Sequence, residues 1–216
     1  AASATTVSRR IASIYRQRFG FQSAVVENAL PPQGQVAREV RFPIRLAHSG
    51  AALPNRHIEE MMLAAAQTTT PVEMHLYLTG QGTEYYRSLL ELASRLGPRI
   101  TIHDPVLPQE LVGTLNQYDL GVFLLPPTTK NYELALPNKF FDFVQARLGV
   151  LVGPTAEMAH RVREFGIGTV ADGFTAEDLG AVLDDLTLED VTRWKEATGP
   201  ASKALDVTPM LQNWNS

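Results

Sequence analysis

The chain has no cysteine, which rules out a disulfide-stapled scaffold and a thiolate metal site and is compatible with a reducing compartment. The cytoplasm is therefore its expected location. Five histidines, His48, His57, His75, His103 and His160, are scattered without the i, i+4 or Cys-paired spacing of a metal motif, so no metal is expected. No apolar run approaches the roughly 18 residues of a membrane span. The opening Ala-Ala-Ser-Ala-Thr-Thr holds neither a hydrophobic signal core nor an initiator methionine, and the expectation is a piece of a longer protein. An excess of basic residues is missing too. A net charge of −4 and a pI near 5.7 argue against a sequence-independent grip on nucleic acid and point to a small-molecule partner. Only Gly50 stands where G-x-G-x-x-G needs three glycines, and Thr79-Gly80-Gln81-Gly82 offers no acid for a ribose diol. There is no Walker lysine, and Ser49 lacks a G-x-S-x-G setting. Dinucleotide, kinase and serine-hydrolase roles fall away.

What the chain does have is 216 residues, 44% of them hydrophobic and 19% charged, enough for one well-buried domain with extensions. Thr6-Val7-Ser8 supplies capping residues for a helix over about 8–18 that Gly20 closes, and Ala24 to Val26 reads as a short strand. Pro31-Pro32-Gln33-Gly34-Gln35 then has the composition of a linker or surface loop. From Pro43 short β-rich runs alternate with helical periods. The pairs are 44–48 with 55–66, 72–78 with 84–96, 100–103 with 109–117, 120–124 with 138–147, 150–152 with 155–164, and 169–171 with 175–186. That alternation predicts an α/β, doubly wound, Rossmann-like parallel sheet of about six strands with helices on both faces. Thr175 with Asp178, and Thr187 with Asp190, have capping-box spacing with Asp in place of Glu. Residues 189–214 read as helix interrupted at Gly199-Pro200, with Trp194 and Trp214 as docking residues.

The common strand order 3-2-1-4-5-6 opens a crevice between the first and fourth strands at their carboxyl ends. The loop after the first strand, Ser49 to Arg56, and the loop after the fourth, Pro126 to Pro137, both lead there. The second loop delivers Leu136-Pro137-Asn138-Lys139-Phe140-Phe141-Asp142-Phe143-Val144-Gln145. Free N–H groups at this helix start and the Lys139 ammonium together suit a phosphate. Asp142, one turn on, can stay on the Lys139 side while Phe140, Phe143 and Val144 turn to a core, free to accept hydrogen bonds from sugar hydroxyls. Gly50 allows close backbone approach, and Arg56 offers a planar donor fork. The competing view is an ordinary buried helix start with Lys139 and Asp142 as a solvated pair, worth a few tenths of a kcal/mol.

These residues resemble the carboxyl-terminal, donor-binding half of a GT-B glycosyltransferase, most similar to the bacterial retaining enzymes of glycosyltransferase family four. Ile44 to Ala66 is similar to the family's first strand, glycine loop and helix; Leu78 to Gly82 matches its second-strand turn; Tyr118-Asp119-Leu120-Gly121-Val122 matches its fourth strand; and Leu136 to Leu151 is the most specific match. The resemblance implies residues 1–40 as the end of an acceptor domain with its crossing, 41–188 as the donor-binding domain, and 189–216 as a helical extension. It implies that Arg56 and Lys139 bind the donor diphosphate with Gly50 and Asn138 beside them. Asp142 would meet the nucleotide ribose, and the main chain of His103-Asp104-Pro105-Val106 would border the base. The implied reaction moves a hexose-type sugar, with retention, from a UDP-, GDP- or similar donor to an acceptor hydroxyl. It needs no cofactor or metal, because protein cations and helix ends stabilise the leaving diphosphate.

Surface polysaccharide or glycoconjugate synthesis is the implied setting, with peripheral membrane association of the full-length enzyme. The chain alone, lacking the acceptor domain, is expected to be inactive. It departs from the family at several points. Counting eight back from Asp142 gives Leu134, so the nearest second acid, a weak catalytic or sugar-hydroxyl candidate, is Glu133. Asn55-Arg56 replaces the usual Lys-Gly, and Arg147-Leu148-Gly149 replaces Gly-x-Pro. A UDP-sugar epimerase of the same architecture and a non-catalytic nucleotide-binding α/β module remain alternatives.

Overall fold

The structure, a computed structural model, describes residues 4–134 and 136–208. It begins with a two-residue strand β1 (Thr5–Thr6), helix α1 (Arg9–Phe19) and strand β2 (Ala24–Val25), which pairs in parallel with β1. Helix α1 starts where the Ser8 hydroxyl accepts the Ile11 N–H at 3.1 Å, and it stops at Gly20, which takes the left-handed φ of 68°. A buried ion pair ties this segment to the rest: Arg161 Nη2 lies 2.6 Å from Glu27 Oε1, and Arg10 reaches Glu157 at 3.2 Å. The stretch 31–41, a linker by composition, runs pinned along the domain, with the Asn116 side-chain amide donating to Val36 O at 2.9 Å and Gln33 N–H donating to Gln145 at 3.2 Å.

The main sheet follows with β3 (Ile44–Ala51), α2 (Ile58–Gln67), β4 (Val72–Thr79), α3 (Glu84–Leu96), β5 (Ile100–His103), α4 (Pro108–Leu115) and β6 (Leu120–Phe123). Then come α5 (Lys130–Leu134), α6 (Asn138–Gln145), β7 (Gly149–Val152), α7 (Ala156–Phe165), β8 (Gly168–Val170), α8 (Ala176–Asp184) and α9 (Leu188–Ala204). The order β5-β4-β3-β6-β7-β8, parallel throughout, is the 3-2-1-4-5-6 arrangement expected from the alternation. Strands that are covered on both faces read as continuous apolar runs, and β6 and β7 are buried at every position. One core layer joins α2, α3 and α8 to the sheet, and the other joins α4, α6 and α7. Burying Phe140, Phe141 and Phe143 contributes about 1.5–3 kcal/mol each against their exposed state.

Two glycines set how closely these layers approach. A Cβ on Gly121 would lie 2.2 Å from the Phe143 ring, so its absence lets α6 settle on β6. At Gly199 the neighbour is the Arg147 guanidinium, 2.7 Å from a would-be Cβ. This corrects the expected break at Gly199-Pro200: α9 runs unbroken through both residues. Gly199 leaves room for Arg147, whose Nε donates to Thr198 Oγ1 at 3.0 Å, and tertiary contact overrides the local cost of Pro200. Arg147 itself takes φ 64°, the left-handed conformation a glycine would enter freely.

Helix α9 is joined to the sheet from beneath. Lys195, with 2% of its side chain exposed, donates to Asp119 Oδ1 and to Tyr118 O, both at 2.9 Å. Asp119 also accepts the Arg45 backbone N–H at 2.9 Å, which closes a junction between β3, β6 and α9. Trp194 packs on the sheet as expected, while Trp214 lies outside the described residues. The capping box at Thr175 and Asp178 forms. The five-residue helix α5 stands in what composition marks as loop, and the predicted helix at 55–66 is a 3-10 turn at Pro54–Arg56 followed by α2.

Candidate functional site

The crevice between β3 and β6 opens where both strands end. Strand β3 runs on through Gly50, whose φ of 137° favours glycine and whose missing Cβ would sit 2.7 Å from Lys139 Nζ. Gly50 and Lys139, 89 residues apart in the sequence, thus share one corner. Lys139 enters from the second residue of α6, after Pro137 in extended conformation as N-cap, and its ammonium rests 4.1 Å from the centre of the Phe123 ring. Arg56 comes from the 3-10 turn that follows β3 and lies 5.0 Å from the centre of the Tyr132 ring on α5. Neither α6 nor α2 has a side-chain cap, so their first N–H groups are not taken by a Ser, Thr, Asp or Asn.

The charges here are mismatched. Burial, with the Arg56 charge beside it and Asp142 opposing, lowers the Lys139 pKa from 10.5 to about 7. Burial likewise raises Asp142 from 3.8 to about 6 against the pull of Lys139. His48, fully buried below, is held well under the usual histidine range by burial and then by Lys139. Its Nδ1 bonds Val122 O at 2.9 Å, and its Nε2 finds no partner. Neutral His48 adds no positive charge to a site that already has two cations.

A folded-state pKa depressed to about 7 means that the unfolded chain binds more protons between about pH 7 and 10.5. The Lys139 contribution therefore stabilises the empty protein as pH rises through that window. For Asp142, raised to about 6, the folded state binds more protons between about pH 3.8 and 6, and its contribution is lost as pH rises there. An anion that reaches Lys139 restores its charge. Binding of a nucleoside diphosphate is expected to take up a proton above pH 7 and to weaken from about pH 7 to 9. Calorimetry in two buffers of different ionisation enthalpy checks the uptake, and an affinity that does not change with pH removes Lys139 from the contact.

Of the residues expected at the site, Gly50, Arg56, Lys139 and Asp142 act on one another in this crevice, and Asn138 is exposed at the start of α6 beside them. Val106 follows β5, two strands away from β3, half-buried against the second core layer. Glu133 is drawn to Lys130 at 2.6 Å on the wall of a separate cleft of about 390 Å3, lined also by Ile11, Tyr15 and Arg18 of α1. Sequence reasoning missed Phe123, Tyr132 and His48. Phe123 and His48 look like ordinary strand interior, and Tyr132 sits in what looks like loop. Among the described residues no group of three or more His, Asp or Glu is placed to hold a metal ion, and no helix is long and apolar enough to cross a membrane.

No protein-family model matches the sequence, and neither does any curated protein. Solved structures do share its fold. The chain is similar to HepE from Anabaena, solved in complex with UDP and glucose, at a TM-score of 0.76 and 14% identity, covering 100% of this chain and 62% of HepE. It is similar to WaaG, a glycosyltransferase involved in lipopolysaccharide biosynthesis, at 0.68 and 13%, covering 97% of this chain and 60% of that one. The pneumococcal O-GlcNAc transferase GtfA, in complex with UDP and GlcNAc, matches at 0.73 and 10%, covering 98% and 43%. The chain thus spans about three fifths or less of the length of these proteins. Its six-stranded parallel sheet, flanked by helices, is the Rossmann-like domain fold of GT-B glycosyltransferases.

Proposed function

We propose that this chain is the donor-binding part of a retaining glycosyltransferase of family-four type that takes a sugar from a nucleoside-diphosphate sugar, UDP- or GDP-linked, and passes it to an acceptor hydroxyl in surface polysaccharide or glycoconjugate synthesis. One observation carries this proposal. Lys139 and Arg56 meet at the switch point of a parallel sheet, and among the described residues neither has a carboxylate within 4.0 Å. Half-buried cations without a carboxylate in contact are costly, and a diphosphate would supply negative charge at contact distance. Lys139 and Arg56 would hold it, with the uncapped start of α6 adding N–H donors. Asp142 would accept from the ribose, and the main chain after β5, through Val106, would border the base. The cations and helix ends would stabilise the departing diphosphate without a metal. The fold neighbours solved with UDP support the nucleotide class.

Residues 41–188 would form the donor domain, with residues 1–40 belonging to the acceptor side and 189–216 a helical extension; transfer would need the acceptor domain. The cytoplasmic face of a membrane, reached by peripheral contact of the full-length enzyme, would be the place of work. Thermal shift of this chain against UDP, GDP, ADP and phosphate tests donor binding. A nucleotide-specific rise that falls about tenfold in apparent affinity in Arg56→Ala is the expected outcome. A flat response to all four would favour a non-catalytic module.

A further inference from the structure

Both cations of the crevice are held in the same unusual way. Each lies against the face of an aromatic ring, Arg56 5.0 Å from the centre of Tyr132 and Lys139 4.1 Å from the centre of Phe123. A ring face attracts a cation through its quadrupole and engages the flat side of a guanidinium. A carboxylate would instead take up the N–H edge, which is the edge an oxyanion needs. Among the described residues the Arg56 side chain makes no hydrogen bond and no ion pair, so its donor fork is free.

Tyr132 is not from Arg56's own lip of the crevice. It stands on α5, in the connection from β6 to α6, and crosses to the turn after β3, where the Asn55 side-chain amide also approaches its hydroxyl at 3.5 Å. That contact is long and exposed, so the ring face, and not the hydroxyl, makes the link. The backbone of Tyr132 is fixed in turn by its N–H, which donates to Thr129 Oγ1 at 3.2 Å.

We infer that Tyr132 is a positioning residue: its ring holds the Arg56 guanidinium flat across the mouth of the crevice so that the edge donors face an incoming diphosphate. The inference rests on the donor-site assignment and adds a residue to it. In this role Tyr132 acts through Arg56 and not on substrate. It removes side-chain freedom from Arg56 before binding and leaves every N–H donor unpaired.

A double-mutant cycle on this chain, read by calorimetry with UDP, GDP and inorganic pyrophosphate, tests it. Tyr132→Leu is expected to weaken binding about 5- to 30-fold, and Tyr132→Phe, which keeps the ring, to bind within twofold of the unaltered protein. In an Arg56→Ala background Tyr132→Leu should cost nothing further. Equal losses with and without Arg56, or an unchanged affinity in Tyr132→Leu, overturn the positioning role while leaving the donor site standing. If the unaltered chain binds none of the three probes, the donor-site assignment and the positioning role fall together. Loss of binding in Tyr132→Phe equal to that in Tyr132→Leu would shift the role to the hydroxyl and overturn the ring-face inference.

Discussion

Lys139→Met is expected to lower the affinity for a nucleoside diphosphate about 100-fold at neutral pH while leaving the empty protein at least as stable as before. The loss follows from removing a charge-assisted contact to phosphate oxygens in a half-buried site, about 2–3 kcal/mol. The stability follows from the environment of the ammonium. Burial and Arg56 both disfavour its charge, and no carboxylate lies within 4.0 Å to offset them. Methionine keeps an unbranched apolar side chain of similar reach and removes the penalised charge from over the Phe123 ring. Chemical denaturation and calorimetry on the same sample check both halves. A variant that binds UDP normally would remove the helix start from the site, and one that is destabilised by several kcal/mol would make Lys139 a structural residue.

Asp119→Ala is expected to destabilise the fold by about 3–5 kcal/mol, enough to remove much of the stability of an ordinary domain. The carboxylate sits at the foot of β6, wholly buried, and serves two cations and a backbone N–H at once. Without it the Lys195 ammonium keeps only Tyr118 O, and a buried unpaired charge results. Because Asp119 and the crevice lie at opposite ends of the same strand, nucleotide affinity of the folded fraction should not change. Urea unfolding measures the first claim and calorimetry the second. A loss below 1 kcal/mol would mean that Lys195 gives up its proton or reaches water, and α9 would then be held by its apolar contacts and its hydrogen bonds to Arg147 and Gln145. The double variant Asp119→Ala with Lys195→Met should recover part of the loss, since it leaves no unmatched ammonium.

Tyr118-Asp119-Leu120-Gly121-Val122 looks like a single buried strand, yet Asp119 fastens the base of the sheet, Gly121 seats the Phe143 ring, and the strand's far end leads to Phe123 under the Lys139 ammonium. The geometry of the crevice therefore depends on close contact below it. Helix α6 presents Lys139 correctly only because Gly121 lets its phenylalanines come down onto β6.

Much of this architecture was legible in the order of residues. Alternating apolar runs and helical periods determined a parallel sheet with helices on both faces, and the sheet's order then located the crevice before any side chain was placed. Ser8, Gly20, Thr175 and Thr187 marked helix ends correctly because a cap is a local event, decided by hydrogen bonds within three or four residues. Gly50, Arg56, Lys139 and Asp142 could be named because glycine freedom and cation chemistry belong to the residue itself. Tertiary structure alone decided that α9 ignores Pro200, since the restraint comes from Arg147 on Thr198 and from Asp119 on Lys195, both partners many residues away. It alone decided that Tyr132 and Phe123 lie against the two cations. Each of these depends on distances between segments far apart in the chain, and local pattern holds no information about such distances.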